Sequence, residues 1–196
     1  MKVLGIYGSP RKNGNSDLLL DQVLEGARSV GAEIEKVYVR DLTISGCREC
    51  GGCDKTGECV IPDEMEKIYP SLWNAPIIFL STPIFFYGLP SQAKTLVDRS
   101  QAMWSKRMLE KSPEQRKRYD HGRGYLIAVG ATKGKNLFEG VQLSAKYFFD
   151  ALDKNYEGGL FFRAVEGKGK ITEQPAALKE AYDLGVTAVQ TSNIER

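Results

Sequence analysis

The first forty residues constrain the fold more than any other stretch. Lys2–Tyr7 is a short apolar run ending at Gly8, the pattern of a buried strand. After a loop, residues 17–30 carry Leu19, Leu20, Val23, Leu24, Ala27 and Val30, a spacing that lines one face of a helix. Asn15 or Ser16 is the expected N-cap, and Gly31 the expected stop. Residues 34–39 then alternate as a second strand. Strand, helix and strand in this order predict parallel pairing, because parallel neighbours need a crossover connection.

The same alternation continues to the end of the chain. Residues 76–81 (PIIFLS) are almost wholly apolar and read as a central third strand; 125–129 and 160–165 read as the fourth and fifth. Asp63 is placed to cap a helix bearing Met65, Ile68, Tyr69 and Leu72, kinked at Pro70. Further helices fall at 91–104 (Ala93, Leu96, Val97 and Met103 inward), 138–152 (Val141, Ala145, Phe148, Leu152) and 175–190 (Leu178, Ala181, Tyr182, Gly185, Val189). The fold class is therefore α/β: a doubly wound, five-stranded parallel sheet with helices on both faces, and residues 1–196 as a single domain. In such sheets ligands bind at the carboxyl edge, so the loops after strands one, three and four are the ones to examine.

Composition narrows the classes of function. Lys plus Arg number 27 against 25 Asp plus Glu, a net charge of +2, which gives no general attraction to nucleic acid or anionic membrane. No apolar run approaches the ~20 residues of a membrane span, and the short N-terminal run does not read as an export signal. A cytoplasmic protein with reduced thiols is expected. The densest basic stretch, residues 105–123, reads as a solvated extension or an arm reaching a partner subunit, with His121 at the surface.

All four cysteines lie in one loop, residues 46–60, as C-x2-C-x2-C-x5-C: Cys47, Cys50, Cys53 and Cys59. Gly46, Gly51, Gly52 and Gly57 allow a tightly coiled backbone. Iron–sulfur clusters take four thiolates, often three of them in a C-x2-C-x2-C run. Structural zinc also takes four, but usually as two separated C-x2-C knuckles. A cluster, a motif without a cluster, and zinc or disulfide use all remain open from spacing alone.

The loop after the first strand, Gly-Ser-Pro-Arg-Lys-Asn-Gly-Asn-Ser from Gly8 to Ser16, runs from a strand end into a helix start. Free N–H groups and the helix dipole favour a phosphate there. Ser9, Asn15 and Ser16 add neutral donors, and Arg11 adds charge. Neither a Walker lysine nor a G-x-G-x-x-G fingerprint is present, so one terminal monophosphate is the expected ligand group. The loop after the third strand (TPIFFYGLP) is unusually apolar, and Pro83, Gly88 and Pro90 would hold its backbone against a flat heterocycle.

GSPRKNGNS, TPIFFYGLP and VGATKGKN, in this order, resemble the flavodoxin-like NAD(P)H-dependent FMN reductases. With the compact cysteine motif between strand two and its helix, the chain resembles the iron–sulfur flavoproteins of that superfamily. The resemblance implies FMN and a [4Fe–4S] cluster with Cys47, Cys50, Cys53 and Cys59 as ligands. It places the phosphate on Ser9, Arg11, Gly14, Asn15 and Ser16, and the flavin ring on Pro83, Ile84, Phe85, Phe86, Tyr87 and Gly88. A third flavin loop falls on Gly130, Ala131, Thr132 and Gly134, where Ala131 and Thr132 replace glycines common in relatives. The resemblance also implies a homodimer or homotetramer packed at the flavin, and a redox partner such as ferredoxin or NAD(P)H. The expected activity is electron passage between FMN and the cluster, with no side chain assigned as catalytic acid or base. An NAD(P)H-dependent FMN or quinone reductase without a cluster, and a zinc-stabilised binding module, are the alternatives.

Overall fold

β1 (Lys2–Tyr7) pairs in parallel with β2 (Glu33–Tyr38) on one side and with β3 (Ile77–Pro83) on the other. β4 (Arg123–Val129) and β5 (Asn155–Phe162) continue the sheet in the order β2-β1-β3-β4-β5. This is the flavodoxin-like doubly wound order, with its switch point between β1 and β3. The structure, a computed structural model, describes residues 1–194.

Helices cover both faces. α1 (Asn15–Ser29) and α6 (Pro175–Ile194) lie on one side, over Val3, Tyr7, Phe79 and Ile127. A Cβ added at Gly26 would stand 2.0 Å from the Tyr182 carbonyl oxygen, and one at Gly185 1.9 Å from that of Val23. Only glycine permits so close a helix pair. α2 (Met65–Asn74), α3 (Ser91–Arg99), α4 (Gln101–Glu110) and α5 (Glu139–Ala151) form the other side, over Leu4, Ile6, Leu80 and Leu126.

Four details differ from the sequence reading. The helix expected over 91–104 breaks at Ser100, whose hydroxyl donates to the Leu96 carbonyl, and restarts as α4. β5 starts five residues earlier than expected and ends three earlier. Its interior Gly158 and Gly159 look like strand breakers, yet Gly159 passes so close to Leu126 that a Cβ would stand 1.8 Å from the Leu126 oxygen. That close approach accompanies a register shift between Gly124 and Leu126, a common role of strand glycine. The expected side-chain cap of α1 is absent: its N-cap is Gly14.

The fourth difference is the basic stretch. It is folded back on the body by a buried charge cluster. Arg107, 2 % exposed, pairs with Asp153 (2.8 Å) and Asp150 (2.9 Å) and donates to the Arg116 carbonyl (2.6 Å). Lys111 pairs with Asp120 and Asp153 and donates to the Arg118 carbonyl. His121 is half-buried, with its ring centroid 4.4 Å from that of Trp73.

Beside this cluster Lys154 is fully buried and donates to the carbonyls of Trp73 (3.0 Å) and His121 (2.8 Å). Burial pushes its amine from the ordinary 10.5 down to about 7, against the opposing pull of Asp153. Above the ordinary value both folded and unfolded chains are neutral at this site. Below it the unfolded chain takes up a proton that the folded chain refuses, so stability drops as pH is lowered from about 10.5 and levels off below about 7. Lys154→Met should remove this slope. Urea unfolding from about pH 6 to pH 10 should show wild-type stability rising relative to the variant above about pH 7 and running parallel to it below.

Candidate functional site

Two separate cavities hold most of the residues singled out by sequence. The first forms at the carboxyl edge of the sheet. The Gly8 amide donates to the Ser81 carbonyl (2.8 Å), so the loop leaving β1 starts against the end of β3. Within it, the Arg11 amide donates to Ser9 Oγ (3.1 Å) and the Gly14 amide to the Arg11 carbonyl (3.2 Å). Asn13, at φ 55°, donates its amide to Asp17 Oδ2 (3.1 Å).

Asp17 is 2 % exposed and paired with Arg40 (2.9 Å). Burial raises its pKa even though Arg40 pulls the other way. The same Arg40 Nη1 donates to the Ser9 carbonyl (3.1 Å). One ion pair thus ties the turn after β2, the loop after β1 and the first turn of α1. Arg40 was not foreseen from sequence, because nothing in its neighbourhood marks it as reaching across the sheet edge.

The N-terminus of α1 carries no side-chain cap, and the first N–H groups of a helix lack intrahelical partners. Asn15 does not supply a cap. Its amide nitrogen donates to the Gly167 carbonyl (2.8 Å) and its oxygen accepts the Ile171 amide (3.2 Å). Ser9 is likewise engaged with Arg11. Ser16 is different: its hydroxyl is buried and has no protein partner. Buried polar atoms are normally hydrogen-bonded, so Ser16 Oγ at an uncapped helix start suits an external acceptor.

The loop after β3 leaves the sheet with the Ile84 amide bound to the Val129 carbonyl (2.9 Å). Phe85 and Gly88 then exchange two backbone hydrogen bonds (3.0 and 2.9 Å) around Phe86 and Tyr87, both at positive φ (48° and 62°). Such a turn normally takes Asn or Gly at its centre. Here two aromatics are held there, and Phe86 is completely exposed (105 %). After β4, Gly130 bonds Phe162 and Val165, and the Thr132 carbonyl accepts the Ala164 amide.

These loops enclose a cavity of about 500 Å³. Ser9, Arg11, Gly14, Asn15, Ser16, Pro83, Ile84, Phe85 and Ala131 line it, together with Val129, Val165, Glu166 and Gly167. Phe86, Tyr87 and Gly88 form the turn outside that wall. Gly130 lies behind it against Leu137, Thr132 is exposed, and Gly134 sits under the Tyr87 hydroxyl. The segment 165–167 is a wall that sequence reading missed. Sequence pointed to the loops after strands one, three and four, whereas Glu-Gly-Lys-Gly lies in the loop after the fifth, at the same edge.

The second cavity, about 630 Å³, is lined by all four cysteines, by Arg48, Glu49, Gly51, Asp54, Val60 and Ile61 of the same loop, and by Asp98, Arg99, Gln101 and Ala102 where α3 meets α4. The loop coils through bonds from Asp54 to Gly51 and from Thr56 and Gly57 to Cys53. Gly51 and Gly57 take positive φ (68° and 72°); Gly46 and Gly52 do not. All four thiols are free, Cys47 and Cys50 exposed, Cys53 and Cys59 half-buried. The Ser105 hydroxyl lies 3.5 Å from Cys53 Sγ. Among the described residues no three His, Cys, Asp or Glu side chains are grouped so as to hold one ion. The thiols border a space rather than converge on a point.

The strand order and the edge cavity define a flavodoxin-like α/β protein. A family model, that of the NADPH-dependent FMN reductases, matches residues 1–137, and the chain belongs to this family. An iron-sulfur flavoprotein of Archaeoglobus fulgidus is 37 % identical over 99 residues, covering 50 % of this chain and 45 % of that protein. One from Methanosarcina thermophila is 37 % identical over 100 residues, 51 % and 52 %. The chain spans about half the length of these curated relatives. Among solved structures, a flavone reductase superposes at a TM-score of 0.73 with 20 % identity, covering 100 % of this chain and 65 % of that one, a likeness of fold.

Arg40→Met would leave Asp17 buried without a counter-charge, a loss of about 3–5 kcal/mol. Urea denaturation should show that loss, and Asp17→Asn placed on the same background should recover most of it.

Proposed function

We propose that the protein is an FMN-dependent oxidoreductase in which FMN occupies the cavity at the sheet edge and a [4Fe–4S] cluster is held by Cys47, Cys50, Cys53 and Cys59. The observation that carries this reading is that all four cysteines line one cavity, separate from the one lined by the loops after β1, β3 and β4. Four thiolates and no other soft donor make the chemistry of an iron–sulfur site, and a cluster several ångströms across suits thiols that border a space. The names of the archaeal relatives support the same pair of cofactors. Together the two groups would convert between two-electron and one-electron transfer, chemistry that belongs to the cofactors.

The chain's own residues bind and enclose. The start of α1, the Ser16 hydroxyl and the Arg11 guanidinium take a terminal phosphate. Pro83, Ile84 and Phe85 offer backbone and an apolar wall to a flat ring, and Val129 and Val165 keep water from it. Glu166, in the same wall, lies where an acceptor for ring or ribityl donors is useful. The fully exposed Phe86 on its rigid turn is the natural contact for a second subunit, so a homodimer or homotetramer is part of the proposal. NAD(P)H or a ferredoxin-like protein is the proposed redox partner. No helix among the described residues is long and apolar enough to cross a membrane.

Anaerobic reconstitution followed by iron, sulfide and flavin assays tests the reading. About four iron and four sulfide per chain, and one FMN, are expected. Arg11→Ala and Ser16→Ala should each weaken FMN binding by about 1–3 kcal/mol in titration. Cys50→Ser should lose the cluster and keep FMN, since the two cavities share no lining residue. A yellow protein that takes up no sulfide would leave only the reductase reading; a colourless zinc protein would remove both.

A further inference from the structure

The wall of the cysteine cavity contains one buried cation. Arg99 ends α3 immediately before the break at Ser100 and is 1 % exposed. The other charged residues of that wall, Arg48, Glu49, Asp54 and Asp98, are exposed. Asp98 is already paired with Lys94.

Most of the Arg99 fork is committed to the base of the cysteine loop. Nη1 donates to Asp63 Oδ2 (2.6 Å) and to the Ser45 carbonyl (2.9 Å), and Nη2 to the Ile61 carbonyl (3.4 Å). Asp63 completes the closure, accepting the Ser45 amide on Oδ2 (2.9 Å) and the Met65 amide on Oδ1 (3.0 Å). Ser45 precedes the first cysteine and Ile61 follows the last. A single buried guanidinium therefore joins the two ends of the loop.

Of the three nitrogens of the fork, one has no partner. Arg99 Nε is buried and has no partner in the protein. A buried donor without an acceptor is unfavourable; besides Asp63, the side chains that act on this guanidinium are Tyr69, whose hydroxyl donates to the Arg99 carbonyl (3.0 Å), and Cys59. We infer that Arg99 is a positioning residue for the thiolate cage: its Nη groups close the loop, and its Nε–H donates to a cysteine sulfur when the cage is filled. The inference rests on the cluster proposed above. Its consequence is electrostatic. Reduction adds negative charge to the cage, and a donor to sulfur stabilises the more negative state. The Arg99 Nε–H therefore makes the cluster easier to reduce than the same four cysteines would without it.

The experiment uses the reconstituted full chain. Pulsed EPR on the reduced wild-type protein, grown with 15Nε-labelled arginine, should show a nitrogen hyperfine coupling to the cluster that persists in Arg48→Lys. The Arg99→Lys variant keeps the charge opposite Asp63 and lacks the Nε–H. It should retain iron, sulfide and FMN, lose the coupling and titrate at a more negative midpoint potential. Retention of FMN reports that the variant has folded. A wild-type protein that takes up the cluster but shows no arginine coupling overturns the role of Arg99 alone. So does an iron-replete Arg99→Lys variant with an unchanged midpoint. A wild-type protein that takes up no iron and sulfide overturns the cluster, and Arg99's role with it. The labelled wild-type measurement decides the question even if Arg99→Lys fails to fold.

Discussion

The end of β1 is fastened to the end of β3. Gly8 donates to the Ser81 carbonyl at 2.8 Å, and a Cβ on Gly8 would stand 2.7 Å from that oxygen. This contact lies at the point where the sheet order reverses, with β2 on one side of β1 and β3 on the other. Successive connections leave on opposite faces there, so the loop ends diverge and a crevice opens between them. The Ser9–Ser16 stretch and the Pro83–Phe85 stretch become neighbours only because of it. Everything read as a binding edge depends on that one close approach of two backbones.

Around this edge, loops without regular structure are held by buried arginine–carboxylate pairs. Arg40–Asp17 fixes the loop after β1. Arg99–Asp63 closes the cysteine loop. Arg107 with Asp150 and Asp153 folds the basic stretch against α5 and β5. In each case the guanidinium also donates to backbone carbonyls of the segment it restrains. A buried pair of this kind adds little net stability against a well-packed apolar substitute, but removing one partner is costly. Its use here is geometric: a planar fork reaches a carboxylate and several carbonyls at once, which an apolar contact does not do.

The two cavities differ in how they are made. The one at the sheet edge is assembled from four loops that are far apart in sequence, and its open donor is a hydroxyl at a helix start. The other is built mainly from one loop and completed by the break between α3 and α4. Ser100 matters for that reason. The break falls between Arg99, the last residue of α3, and Gln101, the first of α4, and both line the cavity.

Local pattern was enough for the layout of the fold. Apolar runs at 2–7 and 77–82 with amphipathic helices between them permit only a parallel sheet, and five strands with helices between them lead to the doubly wound form. The cysteine spacing and the Gly8–Ser16 and Pro83–Gly88 stretches were visible as chemistry because each is contiguous. What depends on packing was not visible. Gly158 and Gly159 carry no strand pattern until the Leu126 backbone is set against them, and Val165, Glu166 and Gly167 reach the cavity from the loop after β5, which no local pattern marks as part of the binding edge. Arg40, Arg99 and Arg107 look like surface cations, because their carboxylate partners lie 23, 36 and 46 residues away. Which of Ser9, Asn15 and Ser16 keeps a free polar group was decided by where loop 163–171 lands: it takes up the Asn15 amide and leaves Ser16 Oγ unpaired. Sequence determines which groups are available; only the folded chain determines which of them are already spent on one another.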